Sequence, residues 1–209
     1  MENILAVVAH PDDLEIMAGG TVLKYKSLGA KIHVLVMTNG SWISEKGETL
    51  RTINEAELEF ENVSKFMLYD SYEMLNEKTL HIEYKDDLVC EILKRIDSYK
   101  IDTIITCWEK DTNHDHFIVS QLAKIAGKKV PRILMGQINY YMNDFFTPNF
   151  FIDISEFYDK KIEAITLYKS QWKRNKNDWT EFLNLTSSYY GKIVSVKFAE
   201  GFITNKFLL

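Results

Sequence analysis

Two stretches of the sequence concentrate the residue types that bind metals and move protons. In the first, His10, Asp12 and Asp13 come directly after the apolar run NILAVVA, residues 3–9. Histidine and carboxylate ligands suit zinc or a similar divalent cation, and a catalytic zinc usually has three protein ligands and one open position. His10 and Asp13 lie on one turn that Pro11 stiffens, so both can face a common cation while Asp12 faces a water molecule.

The second stretch, EKDTNHDH, follows the apolar run IDTIITCW and ends at His116. Both His114 and His116 are of the right type to be a third ligand, and their spacing does not choose between them. Two histidines and one carboxylate also describe non-haem iron sites, so the residues alone leave Zn²⁺ and Fe²⁺ open.

The elements that must position these residues alternate along the chain. Apolar runs at 3–9 and 30–38 predict strands, and the stretch GGTVLKYKSLGA between them predicts a helix that ends near Gly29. A further helix is predicted over most of 49–66. The Gly19–Gly20 pair is expected to allow close packing where the first helix begins.

The second half of the chain repeats the alternation. Helical spacing over 85–100 precedes a buried type of strand at 101–108, and a helix predicted from Phe117 to Gly127 precedes a strand at 132–141. A late helix is predicted over 155–172, with Ser155 as its N-cap.

This pattern predicts one α/β domain over residues 1–209, with a mainly parallel, Rossmann-like sheet and helices on both faces. Ligands of open α/β sheets bind beyond the carboxyl ends of the strands. We therefore expect the two polar stretches to meet at one edge of the sheet.

The overall charge argues for small-molecule chemistry. A net charge of −5 offers no basic surface for nucleic acid. The first residues, MENILAVVAHPDD, contain neither the basic region of a signal peptide nor a membrane span. We expect a cytoplasmic protein with no membrane partner.

With these residues in hand, the sequence resembles the LmbE/PIG-L family of metal-dependent N-deacetylases. AHPDDLEIMAGGT and DTNHDHFIVSQ resemble the two metal-ligand motifs of that family. VMTNG, RTINEAELEFENVSKF, KKIEAITLYKSQ and AEGF are similar to other stretches of members that act on N-acetylated sugars, so the resemblance covers almost the whole chain.

The resemblance implies a role for each matching residue. His10, Asp13 and His116 would bind the metal, normally zinc, and Asp12 would be the general base. Asp115 matches an aspartate that usually orients a histidine supporting the oxyanion. Glu15 also matches the first motif and would support the metal loop from behind.

Two further residues extend the comparison. Asn113 stands where the family often has a histidine; its amide can donate a hydrogen bond to an oxyanion but cannot act as a cationic acid. Which group protonates the leaving amine is therefore open, and Asp12 returning its proton is the simplest choice. Arg51 resembles an arginine that contacts substrate, the alternative being a solvated charge on a helix.

The activity implied is hydrolysis of an N-acetylated amino sugar or sugar conjugate to acetate and a free amine. Trp42, Trp108 and the aromatic segment 139–151 offer faces for a sugar ring, or else pack in the core and between subunits. A homo-oligomer is expected. The alternatives are a non-catalytic binding or assembly protein of the same fold, and a metal hydrolase of another amide or ester.

Overall fold

The computed structural model describes residues 1–141 and 144–208, and within them the central sheet has the strand order β5-β2-β1-β6-β7-β9-β8. The strands are β1 (Asn3–Val8), β2 (Lys31–Thr38), β3 (Trp42–Ile43), β4 (Thr49–Arg51), β5 (Ser71–Glu77), β6 (Thr103–Cys107), β7 (Arg132–Gly136), β8 (Phe150–Asp153) and β9 (Ala199–Phe207). The pairs from β5 to β7 are parallel, whereas β9 pairs antiparallel with both β7 and β8. The prediction of a mainly parallel α/β sheet is confirmed.

Helices cover both faces of this sheet. They are α1 (Asp13–Ser27), α2 (Ile53–Met67), α3 (Asp86–Tyr99), α4 (His114–Ala126), α5 (Tyr158–Thr166) and α6 (Lys169–Ile193). Alternate residues of β1 belong to different apolar clusters: Ile4 packs with residues of α1, α2 and α5, and Leu5 packs with residues of α3 and α4. A strand buried on both sides has no polar alternation, which explains the continuous apolar run at residues 3–9.

The predicted late helix is wrong in its start and in its continuity. Ser155 is not an N-cap, because α5 begins at Tyr158; the Ser155 hydroxyl and N–H donate to Asp153 instead. The helical path breaks at Tyr168, where ψ is 68°, before α6 continues to Ile193. This break lets the buried Tyr168 hydroxyl reach the carbonyl of Pro11.

Residues 49–51 are also not helical. They form β4, which pairs with β3, and the helix begins only after Thr52, whose side chain forms a capping box with Glu55. Arg51 therefore lies at the end of a short strand. Among the described residues, no helix is long and apolar enough to cross a bilayer.

The glycine pair lies inside α1 rather than at its start. The helix begins at Asp13 and kinks at Ala18, which has φ −145°. A Cβ on Gly20 would stand 2.7 Å from Cβ of Ile154, so Gly20 permits close contact with the chain between β8 and α5. The expected close packing is present at the glycines, but the helix starts six residues before Gly19 rather than at the pair.

Beyond the kink, the N–H groups of Gly20 and Thr21 donate to the buried carboxylate of Glu200 at 3.0 and 2.7 Å. Lys161 neutralises that carboxylate, with Nζ 2.6 Å from Oε1. Glu200 on β9 therefore accepts hydrogen bonds from the two N–H groups that follow the kink. These bonds connect this part of α1 to the last strand.

Replacing Gly20 by alanine is expected to lower the free energy of unfolding by about 1–3 kcal/mol, because the added methyl overpacks against Ile154. Urea denaturation in the presence of a chelator measures this change without a metal contribution. Ser27→Ala, at the exposed end of the same helix, is the control and should stay within about 0.5 kcal/mol of the parent. Equal stability of the two variants would show that Gly20 has room for a side chain.

Candidate metal centre and cavity

The fold brings His10, Asp13 and His116 together at one edge of the sheet. His10 follows β1, Asp13 begins α1, and His116 lies just beyond β6. Because β1 and β6 are adjacent and parallel, their carboxyl ends meet at the same edge. One ligand atom from each of the three residues lies within 4.8 Å of the others.

The second motif lies in the first turn of a helix rather than in the loop before it. Asn113 is the N-cap of α4, and its side-chain oxygen accepts from the N–H groups of Asp115 and His116 at 2.9 and 3.4 Å. This cap starts the helix at His114, three residues before the predicted start at Phe117. The helical turn directs His116 toward the centre.

At the centre, His10 Nδ1 and His116 Nε2 are 3.1 Å apart. Asp13 Oδ1 lies 3.2 Å from His116 Nε2, and Asp13 Oδ2 lies 3.5 Å from His10 Nδ1. Asp13 Oδ2 also accepts from the N–H groups of Ala9 and His10 at 3.1 and 2.8 Å. The carboxylate is thus fixed by the backbone while facing both rings.

A carboxylate stands behind each ring. Asp115 Oδ2 lies 3.1 Å from His10 Nε2, and Asp111 Oδ2 lies 3.0 Å from His116 Nδ1. A carboxylate accepts hydrogen bonds, so each outer ring nitrogen carries a hydrogen, which leaves the inner nitrogen of a neutral ring as the one that can bind a cation.

Both supporting carboxylates are themselves held. The N–H groups of Leu80 and Ile82 donate to Asp115 at 2.6 and 3.2 Å. Asp111 accepts from the Asn113 N–H and from the Asn139 amide, each at 2.8 Å. No role for Asp111 is predicted from the sequence. Its position five residues before His116, in the same polar stretch, is the signal that could have identified it.

The donor set fits a divalent cation. Two inner nitrogens and a carboxylate converge on one point, and the nitrogens repel each other unless positive charge lies between them. Without a cation, protons supply that charge. Burial disfavours the charged rings, yet Asp13 together with the carboxylates behind them raises the pKa of His10 to about 9 and that of His116 to about 10.

His114 lies apart from this centre. Its Nε2 is 2.8 Å from the carbonyl oxygen of Ile82, to which it donates. The two histidines that spacing could not separate therefore have different surroundings: His116 faces His10 and Asp13, and His114 holds the segment after β5.

Asp12 and Arg51 lie next to the centre. Burial raises the pKa of Asp12, and the nearby Asp13 raises it further, while Arg51 opposes both. Arg51 Nη1 is 3.9 Å from Asp12 Oδ2, and Arg51 Nη2 is 3.1 Å from Glu59 Oε2. Because Arg51 is only 2% exposed, the alternative of a solvated helix charge is wrong.

Glu15 anchors the turn that carries the first motif. Its buried carboxylate accepts from the hydroxyls of Tyr69 and Tyr168, and burial raises its pKa to about 7 against the effect of these hydrogen bonds. The single hydroxyl hydrogen of Tyr168 is shared between Glu15 and the carbonyl oxygen of Pro11, so Glu15 and Tyr168 connect the first motif to the break between α5 and α6.

A cavity of about 200 Å³ opens above the centre. His10, Asp12, Asp13, Arg51, Asn113 and His116 line it together with Trp42, Tyr140, Tyr141, Arg174 and Trp179. Asp115, which is fully buried, does not reach it. Trp108 is also buried and packs edge-on against Phe146.

The residues that α6 contributes were missed, because the predicted helix ended at 172. Arg174 and Trp179 follow that point. Continued helical spacing up to the buried Leu183 is the signal that could have extended the prediction. Of the aromatic segment 139–151, residues 142 and 143 lie outside the described ranges.

The comparisons with known proteins agree with this geometry. The family model described as PIG-L: GlcNAc-PI de-N-acetylase matches residues 5–126, which include both motifs. The chain belongs to this deacetylase family. The family resemblance drawn from the motifs is confirmed.

Individual relatives match over nearly the full length. Diacetylchitobiose deacetylase of Thermococcus kodakarensis is 25% identical over 96% of this chain and 82% of its own. A conserved protein of Thermus thermophilus superposes with a TM-score of 0.83 at 24% identity, covering 100% of this chain and 97% of the other. N,N'-diacetylchitobiose deacetylase of Pyrococcus horikoshii superposes with a TM-score of 0.80 at 21% identity, covering 98% and 84%. These structures share the fold.

Replacing His116 by alanine is expected to abolish stoichiometric zinc binding, since one of three converging ligands is lost. His114→Ala is the matched control and should keep its zinc, because His114 bonds to a backbone carbonyl. Elemental analysis after dialysis measures both variants. Zinc lost from the His114 variant and kept by the His116 variant would reverse the assignment.

Zinc binding at pH 7 is expected to release at least one proton, because the pKa values of His10 and His116 lie above 7 in the cation-free protein. Apparent affinity should therefore rise with pH between about 6 and 8. Calorimetric titration in buffers of different ionisation enthalpy counts the protons. A binding heat that is independent of the buffer would contradict the protonated resting state.

Proposed function

We propose that the protein is a zinc-dependent hydrolase that removes the acetyl group from an N-acetylated amino sugar or sugar conjugate, releasing acetate and a free amine. The observation that carries this proposal is the convergence of His10, Asp13 and His116 on one point at the floor of the cavity. Membership of a deacetylase family and similarity to diacetylchitobiose deacetylase support the choice of substrate.

His10, Asp13 and His116 would hold the cation, and Asp111 and Asp115 would act as positioning residues behind the two rings. When bound, such a cation polarises the acetyl carbonyl and makes a nearby water molecule more acidic. Fe²⁺ fits the same ligand types, and zinc is our choice from the family.

Asp12 is the general base of the proposed reaction. Its carboxylate takes the proton from the attacking water as oxygen bonds to the acetyl carbon. A pKa raised by burial makes the carboxylate a stronger base, and Arg51 at 3.9 Å keeps it from being protonated too readily. This balance suits a group that must accept a proton and then return it.

Asn113 and Arg51 would contact the substrate. The side-chain oxygen of Asn113 is engaged in capping α4, which leaves its amide N–H₂ as the donor to the developing oxyanion. Since an amide cannot supply a proton, Asp12 delivers the proton to the amine as the carbon–nitrogen bond breaks. Acetate and the free amine result.

The surroundings of the site suit a carbohydrate. Trp42, Tyr141 and Trp179 line the cavity above the centre and offer ring faces against which a sugar can stack. We also propose a homo-oligomer, supported by the exposed side chains of Phe145 and Tyr189. The expected cytoplasmic location stays a prediction.

Replacing Asp12 by asparagine is expected to leave zinc binding intact and to lower kcat by about 10²–10⁴-fold, because the base is lost and the ligands remain. Release of acetate and zinc content, measured on the same sample, separate the two effects. Near-normal turnover in a zinc-loaded Asp12→Asn variant would remove Asp12 from the mechanism.

The decisive assay is a panel of N-acetylated amino sugars, glycosides and sugar conjugates, with acetate and free amine measured together. We expect equal amounts of both products, loss of activity with a chelator, and recovery on adding zinc. A protein that binds zinc but turns over none of the panel would instead be a binding protein, or a hydrolase of another amide or ester.

A further inference from the structure

The charged side chains of the cavity differ in how they are neutralised. Asp13 faces two histidines, and Arg51 lies between Asp12 and Glu59. Arg174, on the first turns of α6, lines the same cavity but forms no ion pair with any residue of the described ranges. It is therefore a positive charge at the substrate site without a direct ion-pair partner, and Asp12 acts on it only from a longer distance.

The guanidinium of Arg174 is held in a defined position. Its Cζ lies 5.6 Å from the ring centroid of Trp42, and one of its nitrogens donates to Gln171 Oε1 at 2.5 Å. Gln171 is buried, so it fixes the guanidinium from the protein side. A group oriented in this way loses little conformational entropy when a ligand binds.

We infer that the natural substrate carries an anionic group, a carboxylate or a phosphate, on the part of the molecule remote from the N-acetyl group, and that Arg174 binds it. This inference rests on the proposed function, since it concerns the substrate of the same site. A planar guanidinium pairs with carboxylate and phosphate through two parallel hydrogen bonds. Within the described residues, no carboxylate lies at ion-pair distance from Arg174 to compete for its remaining donors.

The other charges of the rim are compatible with this assignment. Asp178, one turn further along α6, also lines the cavity, but its carboxylate accepts a hydrogen bond from the Tyr140 hydroxyl at 3.3 Å. Arg51, deeper in the cavity, adds positive charge on the side of the centre. Arg51 is near enough to act electrostatically on Arg174, so an anion beside Arg174 would be attracted by both guanidinium groups, whereas Asp12 and Asp178 would oppose it.

Three matched probes test the inference: methyl N-acetyl-α-glucosaminide, its carboxymethyl analogue and N-acetyl-α-glucosamine 1-phosphate. Equilibrium titration measures binding of each to the zinc-loaded Asp12→Asn protein, which serves as the parent because its turnover is slow, and to the same protein carrying Arg174→Gln or Lys173→Gln. Lys173 is the matched control, an exposed cation of the same helix that does not line the cavity. We expect at least one anionic probe to bind the parent about 10- to 100-fold more tightly than the methyl glycoside. Arg174→Gln should remove this advantage and Lys173→Gln should retain it.

The outcomes separate the inference from the proposed function. Equal binding of all three probes, or an anionic advantage that persists in Arg174→Gln, overturns the inference. An advantage for only one of the two anions supports it and identifies the group. Acetate release from the same probes and from the wider panel is measured with the protein that retains Asp12: if no compound is deacetylated while the Arg174-dependent advantage remains, the proposed function fails and the anion site stands.

Discussion

The structure of the site depends on two histidine nitrogens that face each other at 3.1 Å, His10 Nδ1 and His116 Nε2. Each ring is oriented by a carboxylate behind it, and Asp13 lies against both inner nitrogens. Such an arrangement is stable only with positive charge at its centre, from protons or from a cation. The carboxylates that orient the rings also favour that positive charge. The same residues therefore determine both the geometry and the electrostatics of the centre.

The fold supplies this arrangement through a few local features. Adjacent parallel strands β1 and β6 end side by side, and each is followed, after a short loop, by a helix whose first turn carries a candidate ligand. The N-cap Asn113 starts α4 early enough to include His116, and the kinked α1 is anchored by Glu200 from the last strand. Glu200 and Asn113 therefore hold the two helices whose first turns carry Asp13 and His116.

Much of this was accessible from the sequence. The polar residues after the first and the 101–108 strands predicted the meeting of His10, Asp13 and the second motif, because strand ends of a parallel sheet share an edge. The antiparallel β8 and β9 were not predicted, and the long helix α6 was cut short because residues 173–178, KRNKND, are all polar. Burial of Arg51 could not be read from residue type either: it depends on Glu59 and Tyr168, which only the tertiary structure brings near it.

The central claim is that His10, Asp13 and His116 form one cation site. A crystal structure of the zinc-loaded protein, with anomalous scattering recorded on both sides of the zinc absorption edge, tests it most directly. The account predicts a single strong peak coordinated by His10 Nδ1, a carboxylate oxygen of Asp13 and His116 Nε2, at about 2.0–2.2 Å from each. A fully occupied zinc bound elsewhere, for example through His114, with the two facing nitrogens still in direct contact, would contradict it.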